Sequence, residues 1–136
     1  MSNNVVINKL ETISRCLSRI EEEFQNDKQR FLNSYTVQDS IILNIQRACE
    51  ASIDLAMHLI SSQKLGVPQA TRDAFKILED KDIIDAQLSS NLQAMVGFRN
   101  IAVHDYQKLQ EEIVISIIEK RLIDFEDFSE VMKKFI

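Results

Sequence analysis

The chain has no tryptophan, one proline and two glycines in 136 residues. So few turn formers exclude collagen-like, low-complexity and turn-rich all-β organisation. Cysteine is also scarce: Cys16 and Cys49 stand apart with no CxxC pair. That argues against a disulfide framework and a cysteine zinc site. Each lies among apolar positions at helical spacing, as a packed thiol does. No apolar run reaches the roughly 18 residues that a membrane-spanning helix needs. Residues 1–6 lack the basic and apolar segments of a secretory signal. The expectation is a reduced, cytoplasmic protein with no membrane contact. Positive charge is short as well, with 16 Lys and Arg against 21 Asp and Glu, a net charge of −5. A broad, sequence-independent grip on duplex nucleic acid needs a basic surface. Any nucleic-acid contact is therefore confined to a local cationic cleft. Absent too are a glycine-rich phosphate loop, a GxSxG elbow and the carboxylate pair of a glycosidase. Two histidines without ExxH repeats cannot build a di-iron bundle site, and no zinc ligand set can be assembled. The pattern calls for neither metal nor cofactor.

What is present is helical periodicity. Ile7, Leu10, Ile13, Leu17, Ile20 and Phe24 form one stripe, ending near the solvated run Glu21, Glu22 and Glu23. A polar break follows at residues 26–30. Thr36 then reads as an N-cap, with Asp39 three residues on in a weak capping box. Ile41, Ile45, Ala48, Cys49, Ser52, Ala56, Leu59 and Ile60 mark a long helix that ends before Gly66. Pro68 opens a short element carrying Ala74, Phe75 and Leu78. Ile84, Leu88, Leu92, Met95 and Val96 form a fourth helix. Ile113, Ile117, Ile118, Leu122, Phe125, Phe128, Val131 and Met132 form a long last one. No strand pattern, internal repeat or domain boundary intervenes. The expected fold is all-α, an up-down bundle of four to five helices in one domain over residues 1–136.

The richest chemistry lies in residues 99–106. Arg99 presents a planar fork of donors that suits a phosphate. His104 can carry a proton near neutral pH. Tyr106 offers a hydroxyl that can be hydrogen-bonded or modified. On one helix Asn100 and His104 share a face, and Arg99 and Tyr106 nearly share another. Arg99 and His104, however, splay by about 140° at five residues' separation. They converge only if the helix ends or kinks near Val103, or if a second subunit completes the site. The plainer alternative is a surface arginine and a histidine bonded at a helix end. Glu50, Asp54 and His58 follow one another at i, i+4 spacing and read as a polar network behind the site, with Asp54 and His58 able to pair locally.

Three stretches resemble a known family: residues 46–56 (QRACEASIDLA), Pro68 followed by Arg72, Asp73, Ala74, Phe75 and Leu78, and residues 95–106 (MVGFRNIAVHDY). They are similar to the HepT-like branch of the HEPN domains, the toxins of MNT–HEPN toxin–antitoxin modules. The resemblance runs over residues 41–125, and no motif position departs from the RNxxVHxY pattern. It implies an all-α homodimer with two RxxxxH motifs facing one cleft. It also implies a metal-independent endoribonuclease, a type VII-like toxin that cuts tRNA or mRNA. Carried over, Arg99 and His104 are the catalytic pair and Asn100 orients them. The implied partner is a cognate MNT-family nucleotidyltransferase antitoxin. It attaches AMP to Tyr106, where the added anion would block the phosphate site beside Arg99. The alternative is a non-catalytic, nucleotide-binding regulatory partner of that nucleotidyltransferase.

Overall fold

All regular structure in the described residues, 3–136 of this computed structural model, is helical. Met1 and Ser2 of the stretch read for targeting lie outside them. Helix α1 (Asn3–Phe24) buries Ile13, Leu17, Ile20 and Phe24 of the predicted stripe together with Val6 and Cys16. Leu10 is only partly buried and Ile7 is exposed, because Val6 takes the inward position at the start of the helix. Gln25 and Asn26 both take positive φ, 52° and 51°, and stop it. The polar break is not wholly irregular. Asp27 accepts from the N–H groups of Gln29 and Arg30 at 3.0 and 3.3 Å and starts the five-residue α2 (Lys28–Leu32).

Helix α3 (Tyr35–Gln63) starts two residues earlier than Thr36 suggested, because Ser34 is its N-cap. The Ser34 hydroxyl accepts from Val37 N–H at 3.2 Å. Lys64 closes α3 in the left-handed region, at φ 55°. Helix α4 (Thr71–Asp80) begins three residues past Pro68, where the Asp73 carboxylate accepts from the N–H groups of Gln69 and Ala70 at 2.9 and 3.0 Å. Asp85 caps α5 (Ala86–His104) through Leu88 N–H at 2.8 Å. A 3₁₀ turn follows at Tyr106–Lys108. The predicted last helix is two, α6 (Glu111–Lys120) and α7 (Leu122–Lys133), parted at Arg121 (φ −118°, ψ −8°).

The expected all-α bundle is what is found, with α2 added and the last element divided. Helix α3 is its axis. Helix α1 packs along it, α4 and α5 cover another side, and α7 closes against α1, α3 and α5. Phe75 of α4 and Phe128 of α7 meet edge to face at 5.6 Å between ring centres, a geometry worth about 0.5–1.5 kcal/mol beyond its area. Both cysteines are buried, and burial pushes both thiols up. The Cys49 thiol donates to the Met95 carbonyl at 3.6 Å, which ties α3 to α5. No helix among the described residues is long and apolar enough to cross a membrane.

Candidate active site

Helix α5 buries Leu92, Met95, Val96, Phe98 and Ala102 against the bundle. That register sets Arg99 at the border of the buried face. Its guanidinium lies by α3, where its charge and that of Glu50 act in opposite senses on the Cys49 thiol. Arg99 Nη1 donates to Asn100 Oδ1 at 3.1 Å. Its Nε is buried and has no partner among the described residues. Leaving such a donor unmet costs about 1–3 kcal/mol, so the position is suited to receiving an anion.

Arg99 faces an open groove of about 410 Å³ walled by Lys9 and Thr12 of α1 and by Arg47, Glu50 and Asp54 of α3. Lys9 and Asp54 neutralise each other at 2.9 Å. Arg47 and Arg99 then outnumber Glu50, and none of the three has an ion pair among the described residues. A cationic groove thus exists on a chain of net charge −5. Lys9 carries no sequence signal for it, because α1 is distant in the chain; Arg47 lies in the family-like stretch 46–56, but its spacing alone gives it no place in the site.

His104 is the last residue of α5, is exposed, and is not on the walls of that groove. The helix runs unbroken to His104, with no kink at Val103, and ends when Asp105 turns to ψ 51°. One chain therefore does not bring Arg99 and His104 into one pocket. Tyr106 begins the 3₁₀ turn, and its hydroxyl donates to Asp39 Oδ1 of α3. Burial, and then the Asp39 carboxylate, push the phenol well up from its ordinary range. Asp39 does not belong to the α3 cap, as its spacing from Thr36 suggested; it belongs to this site.

The predicted Glu50–Asp54–His58 face divides. Glu50 and Asp54 stay with Arg99. His58 lines a separate cavity of about 190 Å³ with Val6, Leu55, Ser62 and Met132. The Asp54–His58 pair expected from spacing is replaced by Lys9–Asp54. His58 Nε2 is buried without a partner among the described residues. On the outer side of α5, Ile101 and Val103 are exposed, as is Ile113 of α6. Ile101 and Ile113 border a largely apolar groove of about 510 Å³ with Gly97, Phe98 and Leu109.

Residues 13–132 match the ribonuclease HepT-like family. Over 131 residues the chain is 49% identical to the mRNA nuclease HepT of Shewanella oneidensis, covering 96% of this chain and 98% of the relative. The tRNA nuclease HepT of Aphanizomenon flos-aquae is 25% identical over 114 residues, 84% of this chain and 78% of the relative. A tri-AMPylated Shewanella oneidensis HEPN toxin, solved in complex with MNT antitoxin, superposes with a TM-score of 0.92. It is 48% identical, over 98% of this chain and 99% of the other. A toxin–antitoxin structure with AMP-PNP gives a TM-score of 0.93 at 48% identity, over 97% and 99%.

Proposed function

The chain belongs to the ribonuclease HepT-like family, and from that premise we propose that this toxin–antitoxin endoribonuclease cleaves RNA with Arg99 and His104. Its relative in Shewanella oneidensis is named an mRNA nuclease, which favours mRNA over tRNA as the substrate. The observation that carries the proposal is the state of Arg99: a cation with one buried donor unmet, at the edge of an open cationic groove.

His104 takes the proton of a ribose 2′-hydroxyl. The freed oxygen attacks the adjacent phosphorus, and the bond to the 5′-oxygen of the next nucleotide breaks. A proton returned by imidazolium caps that leaving oxygen. The products are a 2′,3′-cyclic phosphate and a 5′-hydroxyl, so DNA, which lacks the nucleophile, is not cut. Arg99 holds the phosphate and the charge that builds on it. Asn100, bonded to Arg99 Nη1, fixes the guanidinium's orientation. No step draws on a metal ion. The splay of Arg99 and His104 along α5 favours a homodimer, in which the ends of two α5 helices meet over one cleft. The exposed Ile101 and Val103, next to His104 at the end of α5, support that contact.

The partner is an MNT-type nucleotidyltransferase antitoxin, as in the structural relative, and it silences the toxin by attaching AMP to Tyr106. Tyr106 is two residues from His104, and an adenylyl phosphate there repels RNA phosphate. Growth inhibition by Tyr106→Phe tests this control. Co-expressed antitoxin should rescue cells from the wild-type chain but not from Tyr106→Phe. Equal rescue of both would exclude Tyr106 as the point of control.

A further inference from the structure

A phenol holds its proton at neutral pH and is a weak nucleophile until a base takes that proton. In this chain the Tyr106 hydroxyl already has a base against it. The 3₁₀ turn is held by its own backbone, with Lys108 N–H donating to Asp105 O at 2.9 Å and Leu109 N–H to Tyr106 O at 3.0 Å. The Lys108–Asp105 ion pair at 3.0 Å braces it. So fixed, the turn aims the phenol at α3, where the hydroxyl donates to Asp39 Oδ1, 67 positions away in sequence.

Asp39 has no other evident duty. Ser34, not Asp39, caps the helix. Asp39 is exposed and has no ion pair among the described residues. Tyr106 is itself 42% exposed, so the residue lies at the surface, where a partner enzyme can reach it. Burial and the Asp39 charge together keep the proton on the phenol in the resting protein.

We propose that Asp39 is the proton acceptor for the modification of Tyr106, so that the toxin supplies the base that activates its own target residue. The inference rests on Tyr106 being the residue that receives AMP. In the step, Tyr106 Oη forms a bond to the α-phosphorus of a nucleoside triphosphate held by the partner enzyme. The bond from that phosphorus to the oxygen bridging to the β-phosphate breaks. Pyrophosphate leaves with the electron pair, and the phenolic proton passes to Asp39 Oδ1 and then to water. Asp39 is a catalytic residue in this transfer because it touches the reacting oxygen.

The test is a single-turnover transfer assay with the full-length chain, its cognate nucleotidyltransferase and ATP. Intact mass and peptide mapping read adenylyl incorporation at Tyr106. Asp39→Asn keeps an Oδ1 that can orient the hydroxyl but cannot take its proton; Asp39→Ala removes both functions. Helicity by circular dichroism and co-elution with the transferase establish that each variant is folded and engaged. Loss of a general base lowers a rate by roughly 10²–10⁴-fold, and both variants are expected to slow by at least about 10²-fold. Asp39→Asn transferring at the wild-type rate overturns the role of Asp39 as base, whatever Asp39→Ala does. A wild-type chain that gains no adenylyl group on Tyr106 overturns the modification itself, and the role of Asp39 with it.

Discussion

Replacing Arg99 by methionine should make the protein more stable and nearly inactive. Methionine keeps an apolar stem of similar length at this half-buried position, and swaps of similar volume are well tolerated. The substitution removes a buried Nε with no partner among the described residues, a defect costing about 1–3 kcal/mol. Against this stands the loss of one exposed hydrogen bond, Arg99 Nη1 to Asn100 Oδ1, worth about 0.5–1.5 kcal/mol. The net is a gain of about 1 kcal/mol, or about 4 °C in melting temperature for a chain of this size. Removing the group that bears the developing phosphate charge should lower cleavage by about 10²–10³-fold, equivalent to about 2.7–4 kcal/mol. Arg99→Lys, which keeps the charge but not the fork, should fall between. Urea unfolding at one fixed protein concentration and cleavage of a labelled RNA read the two effects. A variant destabilised by about 2 kcal/mol or more would refute the reasoning, because Arg99 would then be a structural cation joining α3 to α5.

If each cleft draws Arg99 from one protomer and His104 from the other, co-refolding Arg99→Ala with His104→Ala should restore one working site per mixed dimer. Activity absent from either variant alone should return, and a mixture as inactive as its components would place both residues of each site in one chain. Asp124, on α7, is buried, accepts from Asn91 Nδ2 at 3.1 Å and leaves its second oxygen unpartnered among the described residues. Burial holds its folded-state pKa above the unfolded value, with Asn91 and Arg121 opposing that rise. The fold therefore binds the proton more tightly than the unfolded chain. This contribution is present in acid and is lost as pH rises from the unfolded pKa through the folded one. Asp124→Asn should melt above wild type at neutral pH and flatten the melting temperature between acid and neutral pH; a lower melting temperature at neutral pH would contradict this.

The features legible in the sequence are those carried by spacing within one helix. The stripe ending at Phe24 defines α1, the run from Ile41 to Ile60 defines α3, and the Arg99–Tyr106 motif marks the end of α5. Helix α2 escapes notice because five residues burying only Phe31 show no period. The break at Arg121 escapes because neither glycine nor proline marks it, and the apolar residues on both sides continue one pattern. Thr36 and Ser34 are both plausible caps by type, and only the backbone at Ser34 decides between them.

The site divides along the same line. Arg99, Asn100, His104 and Tyr106 stand out because they are close in sequence. Asp39 and Lys9 do not, because the packing of α1, α3 and α5 brings them to the motif. Local spacing also misassigned Asp54, which i, i+4 geometry offered to His58 and tertiary packing gave to Lys9. The 140° splay computed for Arg99 and His104 from helix geometry persists, since α5 stays helical through His104.

The central claim is that this chain cuts RNA through His104 without a metal ion. The direct measurement incubates purified wild-type protein and His104→Ala with total cellular RNA in EDTA, with mass spectrometry showing Tyr106 unmodified. The account predicts discrete fragments from the wild type and intact RNA from His104→Ala. Intact RNA with both proteins, or the same fragments from both, would contradict it.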